Sequence, residues 1–200
     1  MRRRILAFTR KYIVTCILLL AIFALLTGIV YPMVMTGFAQ VAYKQKANGS
    51  IVKQNGKPVG SYLIGQAFAG PQYFHGRPSA AGKDGYDATA SGASNLGPTN
   101  PELIKLIAQR AQAVRQEDGL APDAPVPADL VTASASGLDP DISPQSALIQ
   151  VKRVATARNL PEKVILRLVK DHIQKRQLGL LGEQRVNVLE LNLALDEMTS

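Results

Sequence analysis

No charged side chain stands between Tyr12 and Tyr43, and the core of that run, YIVTCILLLAIFALLTGIVYPMVM, extends from Tyr12 to Met35. About 20 apolar residues cross the hydrocarbon layer as a helix, so residues 12–35 are predicted to span a membrane once. Tyr12 and Tyr31 sit near the ends, where an amphipathic ring suits the interface. Pro32 is expected to kink or end the helix, because it lacks an N–H and crowds the preceding turn. Ala24, Thr27 and Gly28 fall near one face and are candidates for close packing against another membrane helix. A cleavable signal peptide is the rival reading, with Gly37-Phe38-Ala39 as its cleavage site. Its apolar region is usually only about 7–15 residues long, so a retained anchor is expected.

Beyond the span the pattern shortens into smaller elements. Ser50–Ile64 reads as a β-hairpin turning at Asn55-Gly56, with Pro58 marking an edge strand. Asn100-Pro101 caps and starts a helix whose face is Leu103, Ile107, Ala111 and Val114, stopped by Gly119. The proline-rich Leu120–Leu130 reads as an extended linker. Ser143-Pro144 starts a second helix, with Ala147, Leu148, Val151, Val154 and Ala155 inward and Lys152, Arg153 and Arg158 on the other face. Asn159-Leu-Pro161 breaks it, and a third helix follows with Ile165, Leu168, Val169 and Ile173 inward. Residues 186–198 read either as a strand of alternating leucines or as a helix capped by Asn187. Their Leu, Glu and Ala content favours the helix. The expected architecture is α+β: residues 1–11 as a basic segment, 12–35 as the anchor, and 36–200 as one mixed α/β domain outside the membrane.

Charge decides the orientation. Arg2, Arg3, Arg4, Arg10 and Lys11 precede the span, and positive charge stays on the cytoplasmic side, so the N-terminus is expected inside. From Lys44 onward 18 basic residues face 15 acidic ones, so the net charge of +8 is mostly that N-terminal cap. No nucleic-acid partner is expected from this split. Cys16 is the one cysteine and lies in the apolar run, and the two histidines are His75 and His172. Neither a disulfide framework nor a zinc-binding spacing follows.

The stretch YFHGRPSAAGKDGYDATASGASNLGPTNP, Tyr73 to Pro101, has five Gly, three Pro and one branched aliphatic, Leu96. It is expected to be an irregular surface segment held by hydrogen bonds, and segments of this kind tend to be functional. It is not a phosphate loop: five residues separate Gly76 from Gly82-Lys83, and Asp84 stands where a hydroxyl belongs. Nor is it a nucleophile elbow, since Gly92-Ala-Ser94-Asn-Leu96 lacks the last glycine. Ser50-Ile-Val-Lys53 fits S-x-x-K, the basis of an alternative reading as an anchored serine hydrolase, but a strand points positions three apart to opposite sides. The better reading is a docking surface carried by His75, Arg77, Ser94, Asn95, Gly97 and Asn100.

The segments YPMVMTGFAQVAY (31–43), GSYLIGQAF (60–68), YFHGRPSAAG (73–82), ASGASNLGPTNP (90–101), VPADLVTASASGLDPDISPQSALIQVKRVATARN (126–159) and RVNVLELNLALDEM (185–198) closely resemble the C subunit of the Kdp potassium-transporting ATPase. Two positions depart from the family pattern: Ala93 where a second Gly is common, and Asp141 where a His is common. The resemblance implies an accessory subunit of a bacterial inner-membrane complex. Its partners would be a potassium-conducting subunit, a P-type ATPase subunit and a small membrane peptide, with surrounding lipid. It implies no cofactor of the chain's own, since ATP and potassium are handled by the complex. The absence of a D-K-T-G phosphorylation sequence agrees. The family's two assigned roles are a catalytic chaperone that raises the pump's ATP affinity and a gate over the potassium entrance. For the first, TASASG (132–137) and Gln150 are the residues the resemblance makes candidates for an ATP-related role.

Overall fold

The structure is a computed structural model that describes residues 2–54 and 56–198, with side chains from Arg10 onward except that of Lys11. The side chains of Arg2, Arg3 and Arg4, and Asn55 of the hairpin turn, thus lie outside the described residues. The chain divides into two compact units, Met1–Ser50 and Ile51–Ser200.

The first unit is helical. Helix α1 (Arg2–Leu25) continues through a π-helical turn, Leu26–Val30, into α2 (Tyr31–Ala42), and a short α3 (Lys44–Ala47) follows. Pro32 does not end this run. The carbonyl its ring would strike belongs to Gly28, four residues back. That residue lies within the π-turn, where Tyr31 N–H reaches past the usual partner to Leu26 O. The wider turn absorbs the proline. The apolar helix therefore runs from Tyr12 to Ala42, 31 residues. At about 1.5 Å per residue that is about 46 Å, more than the roughly 30 Å of hydrocarbon.

The second unit opens with the predicted hairpin, β1 (Ile51–Gln54) antiparallel to β2 (Lys57–Ser61), with a bulge between Val52 and Lys53 opposite Pro58. Helix α4 (Pro101–Glu117) starts where Asn100 Oδ1 accepts from Glu102 N–H at 2.8 Å, and its Leu103, Ile107, Ala111 and Val114 are half-buried. Next come β3 (Asp141–Ile142), α5 (Pro144–Arg158), α6 (Glu162–Asp171), β4 (Val186–Asn187) and α7 (Val188–Glu197). Strands β3 and β4 pair antiparallel. Asn159 takes a left-handed conformation that closes α5. Asn187 caps α7 through Glu190 N–H, which resolves 186–198 as a helix after two strand residues.

Helices α5, α6 and α7 bury one apolar face each: Ala147, Val151, Val154, Ala155, Ile165, Val169, Val188, Leu191 and Leu195 form the core with Phe74, Ile142 and Val186. The sequence expectation fails in four places. Leu148, expected inward on α5, is exposed, because it stands one position round the helix from buried Ala147. Tyr73–Pro101 is irregular, as expected, but not wholly on the surface, because Phe74 and Ala81 are completely buried. Leu120–Leu130 is not a free linker. Leu130 is buried, Arg115 Nε donates to Ala124 O, and Asp129 accepts from the N–H of Ser143 and the hydroxyl of Ser146. Arg153 and Arg158 are not solvated decoration, with side chains 6% and 8% exposed.

The irregular strand through the core poses a problem of unpaired main chain, since a buried N–H or C=O without a partner is costly. Two amide side chains solve it. Asn192 on α7 accepts from Phe74 N–H at 2.8 Å and donates to Phe74 O at 2.9 Å. Gln150 on α5 accepts from His75 N–H at 2.7 Å and donates to His75 O at 3.2 Å. Arg153 extends the clamp, donating to Pro71 O and Tyr73 O and pairing with buried Asp118 at 2.8 Å. Replacing Asn192 by Ala strands both Phe74 groups. At about 1–3 kcal/mol for each unsatisfied group, Asn192→Ala should destabilise the unit by about 2–6 kcal/mol, read as a lowered urea midpoint of the full chain in detergent.

Candidate functional site

Once the clamp holds the main chain of 74 and 75 from below, the side chains of His75 and Arg77 turn to the outside. They face a cleft of about 420 Å³ whose walls include Phe68, Tyr86, Val114, Glu117 and Gln150. Helix α4 contributes its last turn, so the Asn100 cap at one end and the Gly119 stop at the other fix where Glu117 stands. His75 Nδ1 lies 3.3 Å from Glu117 Oε1, and its Nε2 lies 3.1 Å from Gly70 O. Both ring nitrogens thus point at acceptors, and the cleft lining contains no serine, threonine or cysteine for the ring to activate. Arg77 donates to Asp139 at 2.8 Å and to Thr132 O at 3.4 Å. It also borders a second cleft of about 540 Å³ with Asp129, Asp141 and Arg185.

Buried charge shapes the site. The Asp118 carboxyl is pushed above its usual range by burial, against the guanidinium of Arg153 that pulls it down. Asp141 is raised in the same way, with Arg185 at 2.9 Å and Asn187 Nδ2 at 3.2 Å opposing. Burial raises the Tyr86 hydroxyl, Asp139 adds to this, and Arg77 opposes it. That hydroxyl donates to Arg77 O, tying the strip back onto itself.

The segment TASASG lies against the glycine-rich strip. Ser79 Oγ donates to Gly137 O at 2.6 Å, and Gly92 N–H and Ser91 Oγ reach Ser136 O. Gly137 has a φ of +66°, and a Cβ there would come within 2.5 Å of Gly92 O and 2.7 Å of Ala81 N. Only glycine fits where these three segments converge.

The structure brings His75, Arg77 and Gln150 to one cleft. Ser94, Asn95, Gly97 and Asn100 do not line it. Ser94, Asn95 and Gly97 are exposed, with Asn95 at a φ of +53°, and the carbonyl of Asn100 is spent on its helix. Half-buried Ala93 stands beside them. Gln150 is 1% exposed, and its amide is occupied by His75, Ser146 O and Arg153. In the apolar helix Ala24, Thr27 and Gly28 are exposed, and Thr27 donates back to Phe23 O. Among the described residues no group of three His, Cys, Asp or Glu side chains is placed to hold a metal. Sequence reasoning missed Glu117, Asp118, Asp139 and Asn192. The available signal was chemical: polar residues on otherwise apolar helix faces, Gln150 and Arg153 on α5 and Asn192 on α7.

The comparisons with known proteins agree on one family. The model of the K+-transporting ATPase c chain, KdpC, matches residues 13–197. A potassium-transporting ATPase KdpC subunit from Gemmatimonas aurantiaca is 57% identical over 180 residues, covering 90% of this chain and 89% of its own. The same-named subunit of Nitratidesulfovibrio vulgaris is 56% identical over 195 residues, covering 96% and 95%. That of Mycobacterium tuberculosis is 49% identical over 189 residues, covering 94% of this chain and all of its own. The chain belongs to the KdpC family, the c chains of potassium-transporting ATPases.

Proposed function

We propose that the chain is a non-catalytic, single-pass subunit of the bacterial inner membrane. In this reading its 51–198 unit stands outside the cytoplasm and docks on the potassium-conducting subunit at the outer potassium entrance. It promotes assembly with that subunit, the P-type ATPase subunit and the small membrane peptide, and raises the pump's ATP affinity allosterically. The observation that carries this reading is the state of Gln150. Its carbonyl and amide are both taken up inside the core, so a nucleotide would have to unmake the clamp to reach it. The charge pattern supports the same conclusion. With Arg2–Arg4, Arg10 and Lys11 on the cytoplasmic side, the folded unit and ATP are on opposite sides of the membrane. Allosteric action then requires the unit to bind two pump conformations unequally. His75, Arg77 and the exposed Ser94-Asn95 and Gly97 supply the docking surface, while Ala24, Thr27 and Gly28 supply close packing within the membrane.

Orientation is tested by labelling. A cysteine in place of Ser94 should react with a membrane-impermeant thiol reagent in intact cells with a permeabilised outer layer. Reaction only after lysis would reverse the topology.

Nucleotide is tested on Gln150. Gln150→Ala should destabilise the unit by about 2–6 kcal/mol, from unpaired main chain at His75, read as a lowered urea midpoint, and reduce recovery of the complex. The complexes that do assemble should keep their apparent ATP affinity. Photo-crosslinking of an ATP analogue within residues 51–198, lost in Gln150→Ala, would establish direct nucleotide binding instead.

A further inference from the structure

Between α6 and β4 the chain leaves the core as a small hairpin. Gln174 and Arg185 exchange main-chain hydrogen bonds at 2.8 and 3.2 Å, and Gln177 and Leu181 do so at 2.9 Å in both directions. The tip is closed by Gly179 N–H to Arg176 O and Leu180 N–H to Gln177 O. Every residue from Lys175 to Gln184 is exposed. At the end stand Leu178, 90% exposed, Leu180, 81%, and Leu181, 60%. Leu178 holds a φ of +53° beside Gly179 at +75°. A left-handed leucine is strained, and asparagine or glycine would make this turn more easily. Three exposed leucines on a strained turn do nothing for this chain's own core.

The geometry points to a docking anchor: the 174–185 hairpin inserts Leu178, Leu180 and Leu181 into an apolar pocket on another chain of the transporter. A protein pocket fits better than a lipid surface for two reasons. The turn is fixed by its own hydrogen bonds, and preorganised shape benefits a complementary pocket, whereas fluid lipid needs none. Its charges are also largely cancelled. Arg176 pairs with Glu183 at 2.5 Å and Arg185 with Asp141 at 2.9 Å, leaving Lys175 as the hairpin's one cation without an acidic partner among the described residues. Surface-seeking segments instead carry several unpaired cations for anionic headgroups. The proposal rests on the reading of this chain as a docked subunit, and adds where the apolar anchor lies.

The test uses the complete complex in vesicles of phosphatidylethanolamine and phosphatidylglycerol, with photo-reactive benzoylphenylalanine in place of Leu180 or, separately, Ser94. The Leu180 probe should crosslink to one other pump chain. Leu180→Asp should cut complex surviving dilution and gel filtration roughly tenfold or more, as loss of an interface hot spot does. Because Leu180 is 81% exposed, the variant's own melting temperature should not move. Crosslinking at 180 to lipid alone would make the hairpin a membrane anchor and overturn the proposal. A crosslink at 94 without one at 180 would remove the anchor and leave the docking reading standing. Crosslinks at neither position would remove both, and undiminished recovery of Leu180→Asp would remove the anchor.

Discussion

Two carboxamides, Gln150 and Asn192, hold the folded unit together around a piece of chain with no secondary structure of its own. Each presents one acceptor and one donor to the N–H and C=O of a single residue, His75 or Phe74. That is the hydrogen-bonding pattern a neighbouring strand would offer, supplied by side chains from two helices. Without it the Phe74 ring could not be completely buried among α5, α6 and α7, because its own peptide groups would be buried unpaired. Helix packing, the position of the strip and the cleft above it all depend on those four bonds.

The consequence for function is rigidity where a loop would ordinarily move. The strip is pinned by Gln150, Asn192 and Arg153 beneath, by Ser79, Ser91 and Gly92 against the 134–137 turn, and by the Tyr86 hydroxyl across its own bend. Binding therefore need not order it, and ordering a loop on association is one of the larger costs of binding. His75 meets Glu117 and Arg77 meets Asp139 across segments 42 and 62 positions away, so the cleft's polar edge is set by the tertiary fold.

Local chemistry in the sequence was enough for the helices. Asn100-Pro101, Ser143-Pro144, Asn159 and Asn187 each act at the terminus they mark, since a cap is read within three residues. The α5 and α6 apolar faces were legible for the same reason, their period being short, with exposed Leu148 the one residue misplaced. What was not legible is long-range. Nothing near Phe74 announces Asn192, 118 positions away, and the buried cations Arg153 and Arg158 look like solvated residues until Asp118, Asp196 and the carbonyls of Pro71, Tyr73 and Gln72 are brought to them. Leu120–Leu130 was misread because proline richness reports extension and not solvation. How the helix passes Pro32 was not legible, because a π-turn is a cooperative adjustment of five residues with no composition of its own. Of the site, the strip was visible as unusual, and the cleft above it was not. Family membership came from matching segments spread along the chain, not from any catalytic spacing.

The same contrast explains what the chain leaves unburied. Its core is small and polar at the centre, yet every described residue from Tyr12 to Phe38 and the leucines at 178, 180 and 181 are exposed. Burying one such side chain is worth about 1.5–3 kcal/mol. Much of the apolar free energy encoded in this sequence can therefore be realised only against something else. The helix has the length for lipid and small residues for a helical neighbour, while the leucine tip has a fixed shape and little net charge. Both are apolar surfaces that this chain's own core does not use.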